Sequence, residues 1–275
     1  MNCLGIDFED WFHPELVSPF VSEEKKSFTM HQGLEKIIKL LHDNETTATF
    51  FIVGELLEKN PEILDKIISQ GHEIAFHTMN HTRLDNDNFK SLFQNEIELF
   101  SKMTGNKSIG FRAPTFSLNK KSSWVIDMLV KNNYKYDSSI IPAKISMYGV
   151  PNAQKSPYKI SSKNIEKNDE HGELLEFPLL VTKFLGKTIP AAGGFYLRFL
   201  PLKIIKNAIE SYEKQEIPAS LYIHSWELTP EFFPKISLPK KNHFITFHNI
   251  EKTFSKMDEL LKTFSFNSFS NYLQT

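Results

Sequence analysis

The strongest constraint on this chain is an alternation in which short apolar runs that read as strands take turns with amphipathic stretches of helical period. Positions 31–44 carry apolar residues at Leu34, Ile37, Ile38, Leu40 and Leu41, a helical spacing, and 48–53 then reads as a buried strand. A second helix is expected over 55–70, interrupted or restarted at Pro61, and a strand over 72–76 follows Gly71. Residues 89–103 read as a helix stopped by Gly105, 109–111 as a short strand, 122–131 as a helix and 134–137 as a strand. Repeated βα units predict a parallel sheet with helices outside it, and the sheet becomes a barrel if it closes. Catalytic groups would then gather at the carboxyl ends of the strands.

Residues 142–169 are rich in Lys, Ser, Asn and Pro and show little periodicity, so they read as a long loop or hairpin excursion rather than a domain linker. Regularity returns with 174–181, the Gly193-Gly194 turn, a helix over 202–214 and a strand over 219–223. A last helix, about 250–264, is expected to close the chain, and 1–275 reads as one catalytic barrel. The 32 basic and 33 acidic residues leave a formal net charge of −1, which gives no general attraction to nucleic acid or anionic membrane. With Cys3 as the single cysteine, an intrachain disulfide and a Cys-rich zinc site are excluded. No basic and apolar leader precedes the first strand-like run, so no signal peptide or membrane anchor is expected. The expectation is a cytoplasmic enzyme, or one at the inner face of the membrane with a lipid-linked substrate.

His77 and His81, four residues apart at the exit of the 72–76 strand, have the spacing to clamp one metal ion. The acidic strand end Asp7-Phe8-Glu9-Asp10 could complete a site of two imidazoles and one carboxylate. Arg112 stands at another strand end before the rigid Pro114, where a bidentate grip on a carboxylate is possible, and His224 ends the run Leu221-Tyr222-Ile223. Each of these alone has an ordinary reading as a surface ion pair or a core histidine; together and in this order they become specific.

The set Phe-Glu-Asp at 8–10, His-Thr-Met-Asn-His at 77–81, Arg-Ala-Pro-Thr-Phe at 112–116, Asp-Ser-Ser at 137–139 and Leu-Tyr-Ile-His at 221–224 resembles the five motifs of the polysaccharide deacetylases, carbohydrate esterase family four. Further stretches at 48–51, 71–74, 136–140, 192–196 and 224–227 resemble the subgroup found in bacterial exopolysaccharide and surface-glycan gene clusters. The resemblance implies a distorted (β/α) barrel, usually of seven strands, and a divalent metal, commonly zinc, with iron, cobalt and nickel also suited to the donor set.

By the same resemblance His77, His81 and Asp10 match the metal ligands, and Glu9 takes the place of the family's usual aspartate base. Asp7 is a rival base, because residues i and i+2 of a strand share a face; in that register Glu9 would replace Asp10 at the metal. Arg112 matches the residue that orients the base, His224 the general acid, and the Thr115 backbone N–H an oxyanion donor. Phe116, Asp137 and Trp226 are candidate pocket residues. The implied activity is hydrolysis of the acetamido group of an N-acetylated sugar, whether saccharide, lipid-linked or nucleotide-linked. Two alternatives stay open: a hydrolase of a non-glycan amide on the same fold, and a carbohydrate-binding relative that has lost catalysis.

Overall fold

The computed structural model describes residues 1–145 and 147–274; Ser146, inside the 142–169 excursion, and Thr275 lie outside the described residues. Among the described residues there are eleven strands: β1 (Asn2–Phe8), β2 (Thr49–Ile52), β3 (Glu73–Phe76), β4 (Gly110–Phe111), β5 (Tyr136–Asp137), β6 (Tyr158–Ile160), β7 (Leu174–Glu176), β8 (Val181–Phe184), β9 (Lys187–Pro190), β10 (Ser220–His224) and β11 (Phe266–Asn267). The main sheet runs in the order β10-β1-β2-β3-β4-β5-β7-β6. Its first seven members are parallel, and β6 returns antiparallel to β7. This is a mixed half-barrel wrapped by helices. The interval between β7 and β10 is spanned by single bridges, Leu179 to Ser220 and Gly193 to Tyr222.

Central strands β1 and β2 are buried on both faces, which is why the sequence shows continuous apolar runs there rather than alternation. Helices Leu34–Asp43, Glu62–Ser69 and Phe89–Thr104 each turn one apolar stripe inward, including Ile37 and Leu41, Ile63 and Ile67, and Phe93 and Phe100. Pro61 divides the 55–70 region into two helices, Gly54–Lys59 and Glu62–Ser69. Gly105 ends its helix in the left-handed conformation at φ 60°. At Gly193, φ is 150° and a Cβ would lie 1.6 Å from the Tyr222 carbonyl oxygen, so only glycine permits the bridge that brings this segment against β10.

The chain end differs from expectation. The 250–264 region is a 3₁₀ turn, Ile250–Lys252, followed by helix Thr253–Thr263, and it is not the last element. β11 then pairs with Asn2 and Cys3 of β1, and helix Phe269–Leu273 packs Phe269 against Phe51 and Tyr136. Two residues are too few to show a strand period in sequence. Among the described residues, no helix is long and apolar enough to cross a membrane.

Candidate metal and catalytic site

The site lies at the carboxyl ends of β1, β3, β4 and β10. Asp7 and His224 are register partners on neighbouring parallel strands, so the pairing of β1 with β10 alone sets them side by side. The loop 77–81 is not helical: Thr78 and His81 take left-handed φ values of 59° and 54°, turning the second imidazole back toward the first, with ring centroids 5.0 Å apart. The Gly54 and Glu55 amides donate to the carbonyls of Thr78 and Met79, tying this loop down. Thr115, at φ 52°, is a β-branched residue in the same region, and such strain, of order 1–3 kcal/mol each, collects where function requires a particular geometry.

Among the described residues, Glu9, His77 and His81 form the group whose potential ligand atoms all lie within 4.8 Å of one another. The donors suit a divalent cation. His77 Nδ1 lies 2.7 Å from the Arg112 carbonyl oxygen, so Nδ1 carries the proton and Nε2 keeps a free lone pair. Burial lowers the His77 pKa to about 4, so the ring is neutral at pH 7. Glu9 Oε1 accepts from the Trp226 indole N–H at 3.0 Å. Its Oε2 is 2.8 Å from His81 Nε2, yet the two are not aligned for a hydrogen bond and Oε2 is left buried without one. Burial would raise the Glu9 pKa, but the imidazoles of His81, His224 and His13 outweigh it and hold the carboxyl well below the usual range.

Asp10 is elsewhere. Its two carboxylate oxygens accept from the backbone amides of Trp11 (3.0 Å), Thr29 (3.0 Å) and Met30 (3.2 Å), and it is absent from the cluster of ligand atoms. The structure places Asp10 apart from that group: the turn after β1 swings this side chain onto the 29–30 segment, while Glu9 stays on the face it shares with Asp7. We expect Asp10→Ala to lower the unfolding free energy by about 3 kcal/mol, since the backbone amides of Trp11, Thr29 and Met30 lose their acceptor. Metal stoichiometry should stay unchanged; denaturant midpoints and metal analysis of the variant check both.

Opposite the ligand group, Arg112 is fully buried. It donates to Asp7 Oδ1 at 2.6 Å, to the Ser138 carbonyl at 2.8 Å and to the Ser138 hydroxyl at 2.9 Å, with Phe51 beneath the guanidinium at 3.9 Å. His224 Nδ1 meets Glu227 Oε2 at 2.6 Å, and Glu227 Oε1 accepts from Arg198 Nε at 2.7 Å. Burial would lower the His224 pKa, but Glu227 foremost, with Glu9 and Asp7, raises it to about 9. Neither Glu227 nor Arg198 was singled out in the sequence. Glu227 had a usable signal, because it stands three residues after His224 as the N3 member of a capping box at the start of helix Ser225–Leu228. Arg198 had none.

Asp7, Glu9, His77, His81, Thr115, Phe116, His224 and Trp226 all border one cavity of about 270 Å³. Asp137 does not. It is fully buried with its carboxylate on the Ser139 hydroxyl, across from Glu176 in the β5–β7 register. The sequence expectation of a pocket position is thus corrected: at a strand end, one step of pleat decides whether a side chain faces the cavity or the interior.

Residues 26–136 match the family model described as polysaccharide deacetylase. Over this stretch, less than half of its length, the chain is similar to the polysaccharide deacetylases. Residues 138–274 match a second model, a domain of unknown function (DUF3473), and this half of the chain contributes His224, Glu227 and Arg198. Over 62 residues the chain is 36% identical to a peptidoglycan-N-acetylglucosamine deacetylase of Bacillus cereus, a stretch covering 22% of this chain and 29% of that protein. The chain spans about a third or less of the length of the curated relatives it matches. A Mycobacterium smegmatis structure assigned to the polysaccharide deacetylases superimposes with a TM-score of 0.63 at 16% identity, covering 99% of this chain and 89% of that one. Puue allantoinase superimposes with a TM-score of 0.53 at 14% identity, covering 97% and 86%. Both likenesses are of the fold alone.

Proposed function

We propose that the chain is a metal-dependent N-deacetylase hydrolysing the acetamido group of an N-acetylated sugar in bacterial surface-glycan synthesis. The observation that carries this reading is the convergence on one cavity of a Glu9, His77, His81 ligand group, the Asp7–Arg112 pair and His224. A divalent cation held by Glu9, His77 and His81 would supply Lewis-acid polarisation of the substrate carbonyl and make water more acidic, and zinc, iron, cobalt and nickel all suit these donors.

The remaining work belongs to the side chains and backbone. Asp7, gripped on one oxygen by Arg112, takes a proton from the attacking water as its oxygen bonds to the amide carbon. The Thr115 backbone at the cavity edge offers its N–H to the carbonyl oxygen as charge develops there. His224, kept protonated by Glu227, delivers a proton to nitrogen as the C–N bond breaks, releasing acetate and a free amine. Trp226 holds Glu9 through its indole N–H and stacks on His224 at a centroid separation of 5.1 Å, so it positions both.

The test is acetate release from N-acetylhexosamine oligosaccharides, lipid-linked sugars and nucleotide sugars by the metal-reconstituted protein beside His81→Ala. Acetate from one class, lost in His81→Ala, is the expected result. No acetate from any class despite stoichiometric metal sinks the reading.

A further inference from the structure

The cavity is covered by segments that lie outside the barrel strands. Leu16, Ile145, Met147, Phe195 and Ile245 line it from four separate stretches of chain. The cover is tied together: Asn242 Nδ2 donates to the Leu16 carbonyl at 2.9 Å. Arg198 donates to the Ile245 and His248 carbonyls at 2.9 and 2.8 Å, fixing the end of helix Lys240–Phe247. A volume of about 270 Å³, open on one side to solvent, falls just below the roughly 300–1,000 Å³ of pockets that take drug-sized ligands. One sugar ring with its acetamido arm fills such a space, and a polymer threading through would need two openings.

The chemistry of the wall narrows the ligand further. Beyond the reacting groups and the carboxylates, hydrogen bonding falls to the side chains of Tyr148, Tyr196, Tyr222 and Thr246. Thr246 is only 2% exposed and its hydroxyl is buried with no hydrogen-bond partner while bordering the cavity, so it is available to a ligand hydroxyl. Four carboxylates, Asp7, Glu9, Glu15 and Glu227, border the same space. Among the described residues Arg198 is its one arginine or lysine, and that guanidinium is already engaged by Glu227 and two carbonyls. A diphosphate at the anomeric carbon would thus find no arginine or lysine among the described lining residues free to grip it.

We infer that the cavity takes one uncharged N-acetylated sugar unit at the end of a chain, and rejects both the interior residues of a polymer and nucleoside diphosphate sugars. This rests on the deacetylase reading for the chemistry but has its own readout. Metal-loaded Asp7→Asn protein is titrated calorimetrically with methyl glycosides of N-acetylglucosamine, N-acetylgalactosamine and N-acetylmannosamine, with the matching tetrasaccharides, and with the uridine diphosphate sugars. The expected result is a tetrasaccharide Kd within about threefold of that of its methyl glycoside and a nucleotide sugar at least tenfold weaker. Affinity climbing tenfold or more with chain length, a nucleotide sugar as the tightest ligand, or no binding of any of them would overturn the inference.

Mass spectrometry of tetrasaccharide treated with the wild type should place the acetate loss on a terminal unit alone, and the Met147→Ala/Tyr148→Ala double variant should extend it inward. Loss from interior units in the wild type overturns the inference while supporting the deacetylase reading. Length-independent binding without any acetate release supports the inference and overturns that reading.

Discussion

Asp7→Asn is expected to reduce kcat by roughly 10²–10⁴-fold, the usual worth of a positioned general base, while the protein still binds one divalent ion. Glu9→Gln is expected to do the reverse, weakening the ion beyond the roughly 10–100-fold that loss of an outer hydrogen-bond partner costs. The asymmetry follows from geometry: Glu9 is the carboxylate grouped with the two imidazoles, and Asp7 is the one gripped by Arg112. The asparagine is nearly isosteric, so Arg112 keeps its two bonds to Ser138 and the fold should survive, as circular dichroism can verify. Parallel metal titrations and rate measurements on the two variants decide the matter. Metal lost from Asp7→Asn and retained by Glu9→Gln would exchange the two roles.

The second large effect is expected at Glu227. With Glu227→Gln the shape is kept and the charge removed, so fully buried Glu227 no longer neutralises Arg198, which is 2% exposed. Breaking one side of a buried ion pair costs about 3–5 kcal/mol, and the unfolding midpoint should fall accordingly. The same change releases His224, whose pKa of about 9 is held up chiefly by this carboxylate against burial. Since the general acid proposed here must be protonated, the alkaline limb of the rate profile should move to lower pH by about 1–3 units, the effect of one close opposite charge. The linkage to stability has a definite sign. A histidine pKa raised above its unfolded value of about 6.5 stabilises fully below that pH, and the contribution is lost as pH rises through about 9. Urea unfolding of the metal-free protein at pH 6 and pH 10 should show that loss in the wild type and a smaller one in Glu227→Gln.

Which parts of this were legible in the sequence follows from how local the determinants are. Helix and strand runs such as 34–43 and 49–52 rest on periodicity within one segment, and Gly105 and Pro61 act on their own neighbours. His77 and His81 lie in one loop, and the i, i+2 relation of Asp7 and Glu9 is a property of any strand. The fate of Asp10 is different, because the amides that claim it belong to residues 29 and 30, a closure that no spacing rule encodes. The contact between Arg198 and Glu227 joins two helices across 29 positions, and β11 is too short to leave a pattern. Asp137 was misplaced for a related reason: a two-residue strand gives its register only through β4 and β7.

The position of β1 bears on how the chain is made. Its ladder with β10 joins residues 3–7 to 220–224, and β11 adds a contact to residues 266 and 267. At about 5–20 residues per second, a ribosome needs roughly 10–45 s to go from the end of β1 to the end of β10. Throughout that interval the strand bearing Asp7 has one open edge, which invites pairing with other chains. Contacts of such long sequence separation also make for slow folding, because loop closure is paid for before the partners meet. The segments 26–136 and 138–274, expressed separately, should therefore not fold as independent units, and slower growth or lower temperature should raise the soluble yield of the intact chain more than any change within either half.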